Sequence, residues 1–183
     1  MDLEQQFLEI VERKHNELNL GKDYSQKFSK IRDFEGNAVG QIGEEYLKIV
    51  VAEITDIIDD GHIHNEYDII TKTGKFIEVK TARKGRSSNT FQFNGINPKY
   101  NYDYMICLGI CEDKLVYRMF TKLETQYIHK TRNYYITQGN YKRQLVQMNP
   151  DNHVNFKLTI SLKDLYEIES LPNRLKQIFN DLK

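Results

Sequence analysis

Apolar residues recur at helical spacing in two segments of the first third of the chain. Such a period of three to four residues, with charge in between, is typical of amphipathic helices. The first helix is predicted over residues 2–19, and the second from a cap at Asn37 to an end near Asp59–Gly61. The pattern of residues 20–36 predicts neither a helix nor a strand. The apolar positions are Leu3, Phe7, Ile10, Val11 and Leu18, then Ile42, Leu47, Val50, Val51, Ile54 and Ile58.

From residue 67 onward the hydrophobic period changes to two, which is typical of strands. Two strands are predicted, over residues 67–71 and 75–81, with Lys72–Gly74 between them. A three-residue hairpin loop favours a left-handed residue in its third place, and Gly74 supplies it. The two strands therefore form a tight antiparallel hairpin.

Later apolar runs predict further strands and two C-terminal helices. Residues 102–110 form a run that is apolar apart from Asp103, as a buried central strand requires. The order of elements favours one α/β domain, with a mixed central sheet flanked by helices. Its expected parts are an N-terminal helical segment (1–36), a core (37–121) and a C-terminal region (122–183). The other predicted elements are strands at 91–93, 115–121 and 154–160, and helices at 162–168 (capped by Ser161) and 173–182.

Composition narrows the class of protein. The chain has 183 residues, 39% of them hydrophobic, which suffices for a packed core. No window is long and apolar enough for a membrane span, and the acidic start lacks a secretory signal. Cys107 and Cys111 share one apolar run, so we expect buried, unreactive thiols and a reducing cytoplasm.

The net charge is zero, but charge is unevenly distributed. Residues 1–68 hold 16 acids and 7 bases, whereas residues 69–183 hold 10 acids and 19 bases. Residues 79–99 and 125–150 contain bases and no acid. This asymmetry indicates either an anionic partner, most often nucleic acid, or a solvated basic face.

The hairpin brings charged residues together. If the loop is residues 72–74, Thr71 pairs with Lys75, and Asp68 lies opposite Glu78. Lys80, two residues beyond Glu78, shares that face. The register therefore predicts two carboxylates and one ammonium on one surface. The opposite, core-facing surface is predicted to carry Ile69, Ile77 and Val79.

Adjacent carboxylates repel each other, and a divalent cation removes the conflict. Oxygen ligands favour Mg²⁺, with Mn²⁺ as the alternative. Such an ion polarises a phosphodiester and lowers the pKa of a water molecule. Lys80 is placed to position that water or to neutralise charge on the phosphate.

The pattern Asp68-(nine residues)-Glu78-Val79-Lys80 resembles the PD-(D/E)XK nuclease superfamily, which includes many type II restriction endonucleases. The resemblance extends to the helix segment Gly40–Glu45 and to the runs 91–96 and 102–106, and covers about residues 37–121. Tyr67 stands where the family has proline. The resemblance implies a restriction-endonuclease-like core.

The resemblance also implies roles. Asp68 and Glu78 would bind Mg²⁺, the carbonyl of Val79 would add a ligand, and Lys80 would assist the attacking water. The family's helix-borne acid corresponds to Glu44 or Glu45. Glu44 shares a helical stripe with the apolar residues that face the sheet, so we expect Glu44 to be the site residue.

Two groups of residues are candidate DNA contacts. Lysine and arginine side chains bind phosphates, and amide side chains read the edges of nucleobases. The alternatives are a flexible surface loop for the first group and a twisted hairpin with a solvated face for the second. The first group is Arg83, Lys84, Arg86, Asn89, Gln92 and Lys99. The second is Lys130, Arg132, Lys142 and Arg143, interleaved with tyrosines and amides.

The expected function is therefore a Mg²⁺-dependent endonuclease of the type II restriction kind, which leaves 5′-phosphate and 3′-hydroxyl ends. Its expected partners are double-stranded DNA and a second copy of the chain, with no membrane and no small-molecule cofactor beyond the metal. Two alternatives stay open: a structure-specific repair or junction-resolving nuclease, and a catalytically inactive DNA-binding subunit. His62 and His64 are expected to lie in a polar loop rather than to bind metal.

Overall fold

A computed structural model describes residues 2–17, 26–85 and 88–180. Helices, short 3-10 turns and strands alternate along these residues. Leu18, Arg86 and Leu182, each included in a prediction above, lie outside the described residues. The helices are α1 (Leu3–Glu17), α2 (Gly36–Ala52) and α3 (Leu171–Asn180), and the 3-10 turns are Ser29–Asp33, Lys122–Glu124, Leu162–Asp164 and Ile168–Ser170.

The strands form one larger and two smaller sheets. In the main sheet the strand order is β1-β2-β3-β5-β6-β12, and in the smaller sheets it is β10-β11-β4 and β7-β8-β9. Strands β3 and β5 are parallel, while the other pairs are antiparallel. The strands are β1 (Ile57–Ile58), β2 (Ile69–Thr71), β3 (Phe76–Arg83), β4 (Thr90–Ile96), β5 (Tyr104–Ile110), β6 (Leu115–Thr121), β7 (Thr125–Ile128), β8 (Asn133–Gln138), β9 (Tyr141–Gln144), β10 (Val146–Asn149), β11 (Asn152–Ser161) and β12 (Tyr166–Glu167).

The predicted α/β fold with a mixed central sheet is confirmed. The three helices pack on one face of the main sheet, and the two smaller sheets pack on the other. Strand β5 lies in the middle and is buried along nearly its whole length, as its continuous apolar run predicts. Both cysteines are buried. In the described part of the chain, the helices lack the length and hydropathy needed to cross a bilayer.

Two predicted helices differ from the structure. Helix α2 is preceded by Glu35 rather than capped by Asn37, and it ends at Ala52 rather than near Asp59–Gly61. Residues 57–58, which continue its apolar period, instead pair with β2. The helix predicted over 162–168 is wrong, because two of its residues pair with β6 as β12. In both places a neighbouring strand edge outweighs the local periodicity.

Candidate active site

The hairpin of β2 and β3 has the predicted register. Ile69 pairs with Ile77 and Ile70 with Phe76, which is the alignment that sets Asp68 opposite Glu78. The turn glycine, Gly74, has φ of 77°, the left-handed conformation expected of it. The predicted core-facing residues all lie in the helix-side core: Ile69, Ile77 and Val79.

The Asp68 carboxylate occupies a gap in the edge of β3. Its Oδ2 accepts a hydrogen bond from the N–H of Val79 at 2.6 Å. Strand β2 begins only at Ile69, so the Val79 N–H has no backbone partner on that side and the carboxylate replaces one. Because the N–H and C=O of one strand residue point to the same side, the Val79 carbonyl faces the edge where Asp68 lies.

Glu78 and Lys80 lie next to this carboxylate. Glu78 and Lys80 form an ion pair, with side chains only 6% and 19% exposed. The Asp68 and Glu78 carboxyl groups are close enough for each to affect the other's ionisation. The structure therefore brings together the two acids and the amine that the register predicts.

Burial and mutual repulsion disfavour ionised acids here. Burial raises the pKa of Glu78 to about 7; Lys80 opposes the increase and Asp68 adds to it. Burial likewise raises the pKa of Asp68, against the Val79 hydrogen bond and Lys80. Burial alone would lower the pKa of Lys80, but the charges of Glu78 and Asp68 outweigh it, and the net shift is upward. The two carboxylates of Asp68 and Glu78 thus outnumber the one ammonium, that of Lys80, which could balance their charge.

Helix α2 brings a third acid toward the cluster. Gly43 lies against β3 so closely that a Cβ there would lie 1.9 Å from Thr81 Oγ1, so only glycine permits this packing. The next residue, Glu44, is half-buried, and its pKa is raised by burial and by the charge of Asp68. Glu45 points elsewhere and forms an ion pair with Arg13. The geometry thus places Glu44, and not Glu45, beside the cluster.

A cleft of about 560 Å³ opens between α2, β3 and β4. It forms because β4 pairs with the end of β3 at Lys84 and Phe91 and then diverges into a different sheet. A bulge in the pairing with β11 falls at Asn94 and Gly95, whose φ is 73°, and such bulges redirect side chains. The polar side chains of its wall include Glu44, Lys80, Gln92 and Asn94.

The other candidate DNA contacts have different surroundings. Arg83 lines the cleft but also donates hydrogen bonds to the carbonyls of Ile31 and Arg32 at 3.2 and 3.0 Å. Arg143 is paired with Asp164 at 3.1 Å. Lys84 is half-buried. The exposed candidates are Asn89, Gln92, Lys99, Lys130, Arg132 and Lys142, and Arg143 is exposed as well although it is paired.

Sequence reasoning missed Asn94 and Arg118. Asn94 alternates with Gln92 along β4, so extending the predicted strand beyond residue 93 would have revealed it. Arg118 is 6% exposed, donates to Gln138 Oε1 and the Asp164 carbonyl, and lies 3.8 Å from the Tyr141 ring centre. Nothing in the local sequence around Arg118 indicates that it is buried, since its partners come from distant segments.

The cluster fits a hard divalent cation. The described residues contain no group of three or more His, Cys, Asp or Glu side chains placed to hold a metal by themselves. The available donors are therefore two carboxylates and the Val79 carbonyl. This sparse oxygen set is typical of Mg²⁺, which retains several waters and takes further oxygens from phosphates. Ion binding would also relieve the acid excess that raises both carboxyl pKa values.

Comparison with known proteins adds no relative. A scan against protein-family models found no match, and a search of curated proteins found none. The functional argument therefore depends on the geometry of the site.

Proposed function

We propose that the protein is a Mg²⁺-dependent endonuclease that hydrolyses phosphodiesters of double-stranded DNA, of the type II restriction kind. One observation carries the proposal: the Asp68 carboxylate is anchored to the Val79 N–H beside the buried Glu78–Lys80 pair. Two acids held together at the cost of raised pKa values, with an amine next to them, are typical of a site built for a cation and a reacting group.

Each residue has a distinct task in this proposal. Asp68, Glu78 and the Val79 carbonyl would hold the ion, which when bound would supply polarisation of the phosphate and a lower pKa for the attacking water. Lys80 orients that water and offsets charge that develops on the phosphate. Glu44, across the cleft from β4, orients solvent and the scissile strand from the helix side.

The products and assembly follow from this chemistry and the resemblance. The resemblance implies that water attacks phosphorus in line with the 3′-oxygen, so that the P–O3′ bond breaks and leaves a 5′-phosphate and a 3′-hydroxyl. The described part of one chain carries one such cluster, so cutting both strands takes two copies or two sequential nicks. A two-fold symmetric pair would match a palindromic site.

The test is digestion of supercoiled plasmid of known sequence with and without Mg²⁺. We expect discrete fragments that require Mg²⁺ and are lost in Glu78→Gln and Lys80→Met. Lys72→Met is the matched control, because Lys72 lies in the same hairpin but is 65% exposed and paired with Asp56; it should cut normally.

Other outcomes separate the alternatives. Cleavage of branched DNA in preference to plain duplex would favour the structure-specific nuclease. DNA binding without cleavage in Mg²⁺ or Mn²⁺ would favour the inactive DNA-binding subunit. A protein that neither binds nor cuts DNA would refute the proposal.

A further inference from the structure

The sheet of β7, β8 and β9 carries basic residues but no acidic ones. Residues 125–144, which form it, contain no Asp or Glu, although acids and bases are equally frequent in the whole chain. Its central strand, β8, pairs with β7 on one side and β9 on the other. One face of this sheet packs inward, and the opposite face is available to a partner.

Pairing and burial identify the two faces. Ile136 is completely buried, and the Tyr134 ring lies 5.5 Å from that of Phe156, so these residues of β8 point inward. Tyr135, between them, points outward. Gln126 of β7 and Gln144 of β9 pair directly with Tyr135. The outer face therefore presents a row of two amides flanking an aromatic ring.

Neighbouring bases on β9 point to opposite faces. Lys142 is exposed, and its Nζ lies 4.9 Å from the Tyr135 ring centre, so it belongs to the outer face. Arg143 pairs with Ile136 and reaches Asp164 at 3.1 Å, so its charge is neutralised on the inner side. Of these two bases, Lys142 is the one free to bind an anion.

The turn between β7 and β8 adds two more bases. Lys130 and Arg132 are exposed, and no carboxylate of the described residues lies in ion-pair contact with either. Arg132 has φ of 54°, a left-handed conformation that glycine adopts at lower cost. A charged side chain at a position suited to glycine indicates a use for that charge.

The sheet originates near the catalytic cluster. Strand β7 follows β6 after a single 3-10 turn. The last residue of β6, Thr121, pairs with Tyr104 of β5, which in turn pairs with Ile77, the neighbour of Glu78. Two strand spacings amount to about 10 Å. The strand end from which the β7–β9 sheet extends therefore lies about 10 Å from the strand that carries the cluster, a separation that a bound duplex can span.

We propose that the outer face of β7–β9 and the basic turn form the surface that reads duplex DNA; this inference rests on the proposed function. The glutamine amides match the donor and acceptor pair of adenine in the major groove, and the lysines and arginine match phosphates. An acid-free surface avoids repulsion by the DNA backbone. Lysines and arginines alone would be enough to bind an acidic protein. The additional row of amides is suited to the edges of nucleobases, which favours DNA as the partner.

The first experiment measures DNA binding as a function of salt by the Glu78→Gln protein, which we expect to bind without cutting. Lys130→Gln/Arg132→Gln in that background should weaken binding at least about tenfold and reduce the log–log salt slope by about two, one for each lost phosphate contact. The control Lys163→Gln/Lys176→Gln removes two exposed charges elsewhere and should change neither quantity. Equal effects of the two double variants would overturn the inference. Far-ultraviolet circular dichroism confirms folding of each variant.

The second experiment separates the inference from the proposed function. Gln126→Ala/Gln144→Ala in the active protein should still hydrolyse DNA but cut additional sequences, with relaxed preference at adenine positions. If the unmodified protein cuts DNA and this variant gives the same fragments, the amides do not read DNA and only the inference fails. If the unmodified protein binds DNA through the basic turn but never cuts, only the proposed nuclease function fails. If it binds no duplex DNA, both fail.

Discussion

Two aspartates next to strands of the main sheet both accept a hydrogen bond from a backbone N–H of β3. They differ in whether a neighbouring positive charge balances the carboxylate. Asp103 accepts the backbone N–H of Phe76 at 2.9 Å, and Asp68 accepts that of Val79 at 2.6 Å. Each therefore completes one edge of β3, Asp103 the edge that faces β5 and Asp68 the edge that faces β2. Asp103 is also paired with Lys75 at 3.0 Å, so its charge is balanced.

The side chain next to Asp68 is a second carboxyl group, that of Glu78. Glu78 is 6% exposed, whereas the side chains of Lys75 and Asp103 are each about one-third exposed. The pair with Asp103 raises the pKa of Lys75, which favours the charged form of the lysine. The neighbourhood of Asp68 raises the carboxyl pKa values instead. A strand cap needs only an acceptor, so the uncompensated, buried acid is what distinguishes the Asp68 end as the candidate site.

The largest expected difference between these aspartates is in cleavage. Asp68→Asn keeps an oxygen acceptor for the Val79 N–H but loses the charge, and we expect DNA cleavage to fall at least about a thousandfold. Asp103→Asn should leave cleavage within about twofold and cost about 0.5–1 kcal/mol of stability, since its ion pair is partly exposed. Plasmid-nicking rates and urea denaturation measure these effects. Equal loss of cleavage in both variants would contradict the assignment.

The next effect tests the helix acid. Glu44→Gln should reduce cleavage about ten- to a hundredfold, because this half-buried carboxyl interacts with Asp68 across the cleft wall without occupying its place beside Glu78. Glu45→Gln removes only an exposed ion pair with Arg13 and should cut within about twofold of the unmodified rate. The comparison is made from single-turnover rates at saturating Mg²⁺. If the Glu45 variant loses more activity, the choice of helix acid is wrong.

A smaller effect concerns the packing that places this acid. Gly43→Ala should destabilise the protein by about 1–3 kcal/mol, because a Cβ would overlap Thr81. Gly40, in the same helix, has nothing within 4 Å of an added Cβ, so Gly40→Ala should be neutral or stabilise by up to about 1 kcal/mol. Urea midpoints at unchanged m-values decide between them. A Gly43 variant as stable as the Gly40 variant would show that α2 and β3 need no close approach.

The smallest expected effect is on thermal stability. The raised pKa of Glu78, about 7, means that the folded state holds its proton more tightly than the unfolded state. Protonated Glu78 therefore adds to the free energy of unfolding in full below about pH 4.5, and this contribution is lost as the pH rises to about 7. Mg²⁺ competes with that proton, so it should raise the melting temperature by a few degrees more at pH 8 than at pH 6. Differential scanning fluorimetry at constant ionic strength measures this.

The Glu78→Gln protein is the control for the pH effect. It carries no titrating group at this position, so its Mg²⁺-dependent shift should be small and similar at both pH values. A shift in the unmodified protein that is equal at pH 6 and pH 8 would show that Glu78 does not hold the ion.

Local sequence predicts the hairpin well and its surroundings poorly. The three-residue loop ending in Gly74 determines which residues of β2 and β3 face each other, and the observed register agrees. The ends of α2 and the segment 162–168 are mispredicted, because pairing with β2 and β6 decides them. The stripe argument favours Glu44 over Glu45, and the structure explains the preference through Gly43, which seats α2 on Thr81.

By itself, the sequence determined the alternation of the strands, the tight turn, and hence the meeting of Asp68 with Glu78 and Lys80. These depend on neighbours in the chain, where turn chemistry and the two-residue period act directly. Tertiary structure alone decided the cleft between β3 and β4, the burial that raises the carboxyl pKa values, and the neutralisation of Arg143. Those depend on contacts between distant segments, whose packing no local pattern encodes.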